Sequence, residues 1–443
     1  MRRDVMTKLV AWKDGLDRKP LLLTGVRQCG KTYICREFGA KYFEDVAYFY
    51  FEGNNDLASI FEQNLDTERI LRELGQVMRG KRIIPGKTLV IFDEIQACPR
   101  AIASLKYFCE NMRELHILCA GSLLGVALQR QNISFPVGKV EHLPMFPLSF
   151  LEFFRATDKG EALYEGILNY GLEDELPQIY TVELEKALQQ YYIVGGMPEV
   201  AAQWFAHGDY AQVDKLQENL LEDYSNDFAK YAPQVDIPKL GWIWDSLPKQ
   251  LAKENNKFVF SHVKEGKRAA DLEDALQWLE SAGLVYKLSL VEHPELPLVG
   301  QANATFFKAY MCDSGLLRKK AQIAVSTILT GSELYGTYKG AFTENYVLNQ
   351  LLFQGIKPYF WRSGNSAELD FIFANESRIV PVEVKAAEHT RAKSYGEFCK
   401  KYGPDLGFKV SLKNVGYNTV GKTKTYSIPL YLLWRLPEYL AQH

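Results

Sequence analysis

The sequence has no cysteine pair at C-x-x-C spacing, and its seven cysteines (Cys29, Cys35, Cys98, Cys109, Cys119, Cys312 and Cys399) are odd in number. That argues against a disulfide-stapled scaffold and fits reduced, mostly buried thiols in a cytoplasmic protein. No charge of one sign dominates: 52 Lys and Arg stand against 54 Asp and Glu, for a net charge of −2. A chain-wide basic coat for nucleic acid is therefore absent, although a local basic patch stays open. Long apolar runs are missing as well. The most apolar stretch, 117–128, is too short to cross a bilayer and is broken by Gly121 and Ser122, so no membrane association is expected. The N-terminal stretch carries Arg2, Arg3 and Asp4 and shows no apolar signal core, so no signal peptide is expected. There is no internal repeat and no low-complexity tract. What remains is a chain of 443 residues, 47% hydrophobic and 13% aromatic. Length and composition imply large buried cores, roughly two to four domains and little disorder.

The most informative stretch is 20–32, reading P-L-L-L-T-G-V-R-Q-C-G-K-T. An apolar strand candidate, Leu21 to Thr24, runs into Gly25-Val26-Arg27-Gln28-Cys29-Gly30-Lys31-Thr32, and a helix follows from Tyr33. This is G-x-x-x-x-G-K-[ST], the phosphate-binding loop. The glycines let successive N–H groups turn toward phosphate oxygens, and the helix adds its positive N-terminal end. Lys31 reaches β- and γ-phosphates, and Thr32 is a Mg²⁺ ligand. Cys29 reads as a small filler of the loop.

A strand at 45–53 (D-V-A-Y-F-Y-F-E-G) and a helix capped by Asn54 or Asn55 and running to about Arg79 come next. T-L-V-I-F-D-E-I, from Thr88, predicts a central parallel strand whose C-terminal end carries Asp93 and Glu94. Ligands in such sheets sit beyond those strand ends. Asp93 then suits the Mg²⁺ shell, and Glu94 suits polarisation of an attacking water. Another helix, Pro99 to Arg113, leads into a buried strand, His116 to Gly121. Ser122 after it either senses the γ-phosphate or caps a helix over 123–129. Val140 to Phe154 predicts a last strand and a helix capped by Ser149.

Together, L-L-L-T-G-V-R-Q-C-G-K-T, L-V-I-F-D-E-I-Q, C-A-G-S and P-L-S-F-L-E-F resemble the prokaryotic AAA-type ATPases that carry a C-terminal domain of unknown function. The resemblance implies a central phosphate-loop strand, Mg-ATP as ligand and Ser122 in the sensor position. Where related sequences usually place arginine before P-L-S-F, this chain has Lys139, a point charge without arginine's fork. Arg130 is nearby, and no arginine finger is assigned. The segment 156–231 is helical in pattern and is interrupted by Gly195-Gly196-Met197-Pro198. Read alone, this is a helix break. In similar ATPases a Gly-x-Pro of the helical lid lies against adenine, which makes Pro198 a base-contact candidate.

The segment 258–288 has helical spacing at Leu272, Leu276, Trp278, Leu279 and Ala282, a Gly283 cap and a following strand, and it looks like a winged helix. Lys264, Lys267 and Arg268 favour DNA contact, whereas Asp271, Glu273 and Asp274 oppose it. The last third holds a helix bearing Glu344, then P-Y-F-W-R, E-L-D-F-I-F and I-V-P-V-E-V-K. In a strand Glu383 and Lys385 face one side, and an adjacent strand can set Asp370 beside them. This D-x(12)-E-x-K pattern is similar to the restriction-endonuclease-like superfamily. The resemblance implies a metal held by Asp370 and Glu383, with Glu344 as the helical acid of the pattern and Lys385 assisting phosphodiester cleavage. Trp361, Asn365 and Ser366 are candidates for shaping a groove, and a helix over 390–402 and a strand over 408–411 close the domain.

The expected fold is therefore α/β and multi-domain: a P-loop AAA-type parallel-sheet core at 1–155, a helical lid at 156–235, a winged-helix-like module at 236–310 and a restriction-endonuclease-like α/β domain at 311–443. The expected function is ATP hydrolysis whose nucleotide state gates a nuclease-like, DNA-acting domain. The alternative is a switch or chaperone-like scaffold with an inactive nuclease-like domain. ATP and Mg²⁺ are the expected cofactors. DNA, a protein partner and oligomerisation are left open.

Overall fold

A computed structural model of the chain describes residues 1–122, 124–126, 135–253, 257–331, 336–364, 367–386 and 393–443. The chain divides into two compact units. One comprises Arg3–Pro147 with Ser281–Leu284, and the other comprises Met1–Arg2, Leu148–Glu280 and Val285–His443.

The first unit is a parallel sheet. Among the described residues its strands are β1 (Leu21–Thr24), β2 (Asp45–Tyr50), β3 (Thr88–Asp93), β4 (His116–Gly121) and β5 (Glu141–Pro144), in the order β2-β3-β4-β1-β5. As expected, β1 is interior, flanked by β4 and β5. Every residue of β3 and β4 is buried, which is why their sequences are almost continuously apolar. A core of Phe49, Phe51, Phe61, Phe92 and the aliphatic residues around them packs against β3. The single helix expected over 54–79 is two helices, Asn55–Glu62 and Thr67–Val77. Asn54 caps the first by accepting from Leu57 N at 3.0 Å, and Asp66 caps the second by accepting from Arg69 N at 2.7 Å. The second cap diverts backbone donors and starts a new helix. The helix after β5, Phe150–Arg155, carries the capping box of Ser149 and Glu152. It begins the second unit.

In the second unit the helices Gln178–Val194, Pro198–His207 and Tyr210–Tyr231 occupy the region expected to be helical, and a further helix, Ile237–Leu251, follows it. Here the Gly-Gly sequence has a packing explanation. Leu148 N donates to Gly196 O at 2.6 Å, and a Cβ at Gly196 would lie 2.3 Å from Leu148 O. Gly195 has φ 76°, and a Cβ there would lie 2.2 Å from Asp313 Oδ1. The Asp313 carboxylate accepts from Gly196 N at 2.6 Å and from Leu316 N at 2.9 Å, capping the helix Ser314–Lys320. On the same helix Arg318 bonds Gln217 at 2.6 Å and pairs with Asp214. Gln217 in turn donates to the carbonyls of Ile193 and Val194. Segments far apart in sequence are thus tied by a buried polar network, in which Arg318 Nε is left without a partner.

Among the described residues this unit has an eight-stranded mixed sheet. Its strands are β6 (Val285–Val291), β7 (Ala302–Met311), β8 (Tyr359–Ser363), β9 (Ala367–Asn375), β10 (Arg378–Val384), β11 (Leu406–Ser411), β12 (Gly416–Val420) and β13 (Thr423–Pro429), in the order β12-β13-β11-β10-β9-β8-β6-β7. The strand expected after Gly283, β6, pairs with β7 and is hydrogen-bonded into this sheet through the parallel pair β6–β8. The helix Ala269–Ser281 buries Leu272, Ala275, Leu276, Trp278 and Leu279, at the expected spacing. Trp361 is a correction. It is wholly buried beneath Phe398 and Tyr402 and lines no groove, because β8 turns that face into the core. Asn365 and Ser366 lie outside the described residues.

Burial raises the Asp313 carboxyl from its ordinary 3.8 to about 6, despite its backbone donors. The folded state therefore prefers the protonated form. Its contribution is full below about pH 4 and is lost as pH rises through about 6, a change of up to about 3 kcal/mol. Urea titrations should show wild type losing stability relative to Asp313→Asn between pH 4 and pH 7. A pH-independent difference would contradict this assignment.

Candidate functional site

The loop between β1 and the helix Lys31–Tyr42 is shaped by backbone geometry that only small residues tolerate at its ends. A Cβ at Gly25, where φ is 154°, would lie 2.0 Å from Met145 O. Gly30, at φ 94°, is the left-handed residue just before the helix. Cys29 is wholly buried with its Sγ 3.7 Å from Met145 O, consistent with its role as a filler. Arg3, which sequence reasoning passed over, is buried beneath the loop and donates to Cys29 O at 3.1 Å and Phe146 O at 2.7 Å. Gly283, in the short segment assigned to this unit, also approaches the loop, and a Cβ there would lie 3.2 Å from Val26 N. Lys31 Nζ donates to the carbonyls of Gly25 and Val26, both at 2.8 Å. With those carbonyls the ammonium sits at the loop mouth, where phosphate oxygens would compete for it.

β3 delivers Asp93 to the same place. Its carboxylate is 1% exposed, and its Oδ2 accepts from Thr32 Oγ1 at 2.8 Å and from Tyr48 OH at 2.7 Å, while Oδ1 accepts from Glu94 N at 3.1 Å. The Arg36 guanidinium lies over the Tyr48 ring at 4.0 Å. Burial and the bond to Asp93 push the Tyr48 phenol up, so it stays a donor at neutral pH. Thr32 and Asp93 present hydroxyl and carboxylate oxygens side by side, a donor set that suits Mg²⁺ arriving with a nucleotide. Tyr48 was not among the expected residues. The available signal was its position on β2, level with Ile91 of β3 and facing the loop helix.

Glu94 adopts φ 50°, ψ 43°, a left-handed conformation unusual for a residue with a side chain. Its carboxylate is held by Ser122 Oγ at 3.1 and 3.3 Å and by Gln96 Nε2. This contact with Glu94 is neither of the two roles considered for Ser122, γ-phosphate sensing and helix capping. Gly121 makes room for Gln96, since a Cβ there would lie 2.2 Å from Gln96 Oε1. Thr32, Asp93, Glu94 and Ser122 are thus joined in one hydrogen-bonded chain beside Lys31. Lys139 is paired with Glu110 at 2.9 Å, and Arg130 lies outside the described residues. Pro198 opens the helix Pro198–His207 of the second unit, half-buried at its first position.

The second set of expected residues lies on the eight-stranded sheet. One step beyond the pair Val382–Phe371, Asp370 comes level with Glu383. Asp370 Oδ2 accepts from Val384 N at 2.7 Å, and Lys385 Nζ pairs with Glu383 Oε1 at 2.6 Å. Burial pushes the Asp370 carboxyl well above the usual carboxylate range, with Glu383 and Glu344 adding repulsion. Burial likewise raises Glu383 against the pull of Lys385. The carboxylates therefore sense one another. Sequence reasoning missed a lysine among them. Lys308 on β7 is 1% exposed and pairs with Glu368 Oε1 at 2.7 Å and Glu344 Oε2 at 3.4 Å, while Tyr310 OH donates to Glu344 Oε2 at 2.8 Å. A lysine inside the apolar run T-F-F-K-A-Y-M was the signal. Among the described residues no three His, Cys, Asp or Glu side chains are grouped to hold an ion, and Glu344, Asp370 and Glu383 are each engaged by a protein donor where the resemblance implies a metal.

Residues 17–154 match the family described as an AAA domain, so the first unit carries a P-loop domain of the AAA type. Residues 185–326 match a domain of unknown function, DUF8612, and residues 339–433 match another, DUF4143. No curated protein matches the chain. Among solved structures, the Walker-type ATPase PABY2304 of Pyrococcus abyssi is similar at 16% identity over 72% of this chain and 95% of its own, with a TM-score of 0.43. The Aeropyrum pernix ORC2 protein in ADPNP–ADP complexes is 14% identical over 74% and 91%, with a TM-score of 0.35. The Aeropyrum pernix ORC1 protein in complex with DNA is 12% identical over 73% and 92%, with a TM-score of 0.27. Among the described residues, no helix is long and apolar enough to cross a membrane.

Removing the Tyr48 hydroxyl takes one donor from Asp93, worth about 1 kcal/mol. Tyr48→Phe should raise the Mg²⁺ concentration for half-maximal binding of a fluorescent ATP analogue about fivefold. An unchanged Mg²⁺ dependence would show that this hydrogen bond does not position Asp93.

Proposed function

We propose that this chain is an ATP-hydrolysing AAA-type protein whose nucleotide state controls what its C-terminal, nuclease-like domain holds. The carrying observation is the Thr32–Asp93 and Glu94–Ser122 chain of hydrogen bonds beside the phosphate loop. In this reading the loop N–H groups from Val26 to Thr32 and the Lys31 ammonium bind the phosphates, and Tyr33 follows on the helix. Bound with the nucleotide, Mg²⁺ held by Thr32 and Asp93 would offset charge on the phosphate oxygens. Glu94 accepts a proton from the attacking water. Ser122 and Gln96 hold Glu94 until a γ-phosphate competes for the serine hydroxyl. Pro198 is proposed to contact the base. Lys31→Ala should abolish ATP turnover, measured as phosphate release, and turnover at the wild-type rate would remove the phosphate loop from the account.

For the second unit, the winged-helix-like and nuclease-like assignments rest on the element order, helix Ala269–Ser281 then hairpin β6–β7, and on the D-x(12)-E-x-K strands. Two readings follow: cleavage of DNA with Lys385 assisting, or binding of nucleic acid or protein without cleavage. The ion pairs of Lys308 support the second. Plasmid incubated with the wild-type chain and Mg²⁺ or Mn²⁺ should remain supercoiled. Metal-dependent nicking that disappears in Asp370→Ala would overturn that expectation and favour the first reading.

A further inference from the structure

The family pattern asks for a metal at Glu344, Asp370 and Glu383, and this chain answers with a buried ammonium. We infer that Lys308 is the resident cation of the C-terminal cluster, and that it withdraws Glu344 from metal binding and keeps divalent ions out. The inference rests on the nuclease-like reading only for the expectation of a metal; the ion pairs stand without it.

Lys308 is almost wholly inside the protein, so its charge needs compensation. It has two carboxylates: Glu368 Oε1 at 2.7 Å and Glu344 Oε2 at 3.4 Å. The Phe360 ring, 5.1 Å away, covers another side. The Glu344 oxygen that faces Lys308 also accepts from Tyr310 OH at 2.8 Å, so it carries two donors. Lys308 and Tyr310 are two apart on β7 and point to the same face, so one strand delivers both. On the other side, Lys385 takes Glu383 Oε1, and the Val384 N–H takes Asp370 Oδ2. Glu383 Oε2 is left buried without a partner. A divalent ion would seek that oxygen, but it would then sit beside the Lys385 ammonium and find Glu344 Oε2 already engaged. Mg²⁺ and Mn²⁺ keep several waters but still need one or two free carboxylates, and here Glu344 Oε2, Asp370 Oδ2 and Glu383 Oε1 are each already engaged by a protein donor.

The test is Mn²⁺ binding to the full chain without nucleotide or DNA, followed by calorimetry and by electron paramagnetic resonance of free Mn²⁺. An Asp93→Asn background silences the phosphate-loop site. The chain with Lys308 intact should show no Mn²⁺ binding that Asp370→Asn removes. Sub-millimolar binding lost in Asp370→Asn would overturn the inference while leaving the nuclease-like reading in place. This arm needs no change at Lys308, so it holds even if that residue is required for folding. Lys308→Met, checked by circular dichroism, should bind Mn²⁺ about tenfold or more tighter, and Glu344→Gln should remove the gain. A folded Lys308→Met chain that gains no affinity would also overturn it.

Discussion

Asp93 is the constraint on which the nucleotide site depends. A carboxylate this buried is costly unless donors surround it. Here the donors come from Thr32 on the loop helix, Tyr48 on the neighbouring strand and the backbone of Glu94. Satisfying one carboxylate therefore fixes the relative positions of the phosphate loop, β2 and the turn after β3. That turn bends Glu94 into a left-handed conformation and aims its side chain at Ser122, at the end of β4. The parallel order β2-β3-β4-β1-β5 brings the ends of β3, β4 and β1 together, so residues remote in sequence share one edge. The close approach of Gly25 to Met145 adds β5 to the same assembly.

The second unit shows the opposite solution to buried charge. Its acidic cluster is compensated largely from within, by Lys308, Lys385 and Tyr310. Burial works against an ammonium at Lys308, but Glu344, Glu368 and Asp370 outweigh it and hold the lysine charged. Such internally paired clusters hold a fold in register as readily as they perform chemistry. The same holds around Asp313, where Gly195 and Gly196 are small because a carboxylate and the Leu148 backbone pass close to them.

How much of this was legible depended on whether the signal was local. The phosphate loop, the Asp93–Glu94 strand end and the Ser149 cap are each written within a few residues, and the structure places them in the expected elements. The D-x(12)-E-x-K strands also formed, because alternation along two paired strands is itself a local pattern. Lys308 was not legible as a partner of Glu344, since 36 residues separate them and only the sheet brings them together. Trp361 misled because an aromatic residue near a hairpin reads equally as groove or core. The pairing of β6 with β8 was hidden for a similar reason: a parallel partner leaves no turn signal between the strands. Gly-Gly-x-Pro was read as a helix break, which it is, but its packing against Asp313 needed the third dimension.

The central claim is that Glu94, released from Ser122, serves hydrolysis at the phosphate loop. It is tested most directly by single-turnover hydrolysis of Mg-ATP by Glu94→Gln, alongside the variant's affinity for ATP. The account predicts that hydrolysis falls about a hundredfold or more while binding changes little. Hydrolysis by Glu94→Gln at the wild-type rate would contradict it.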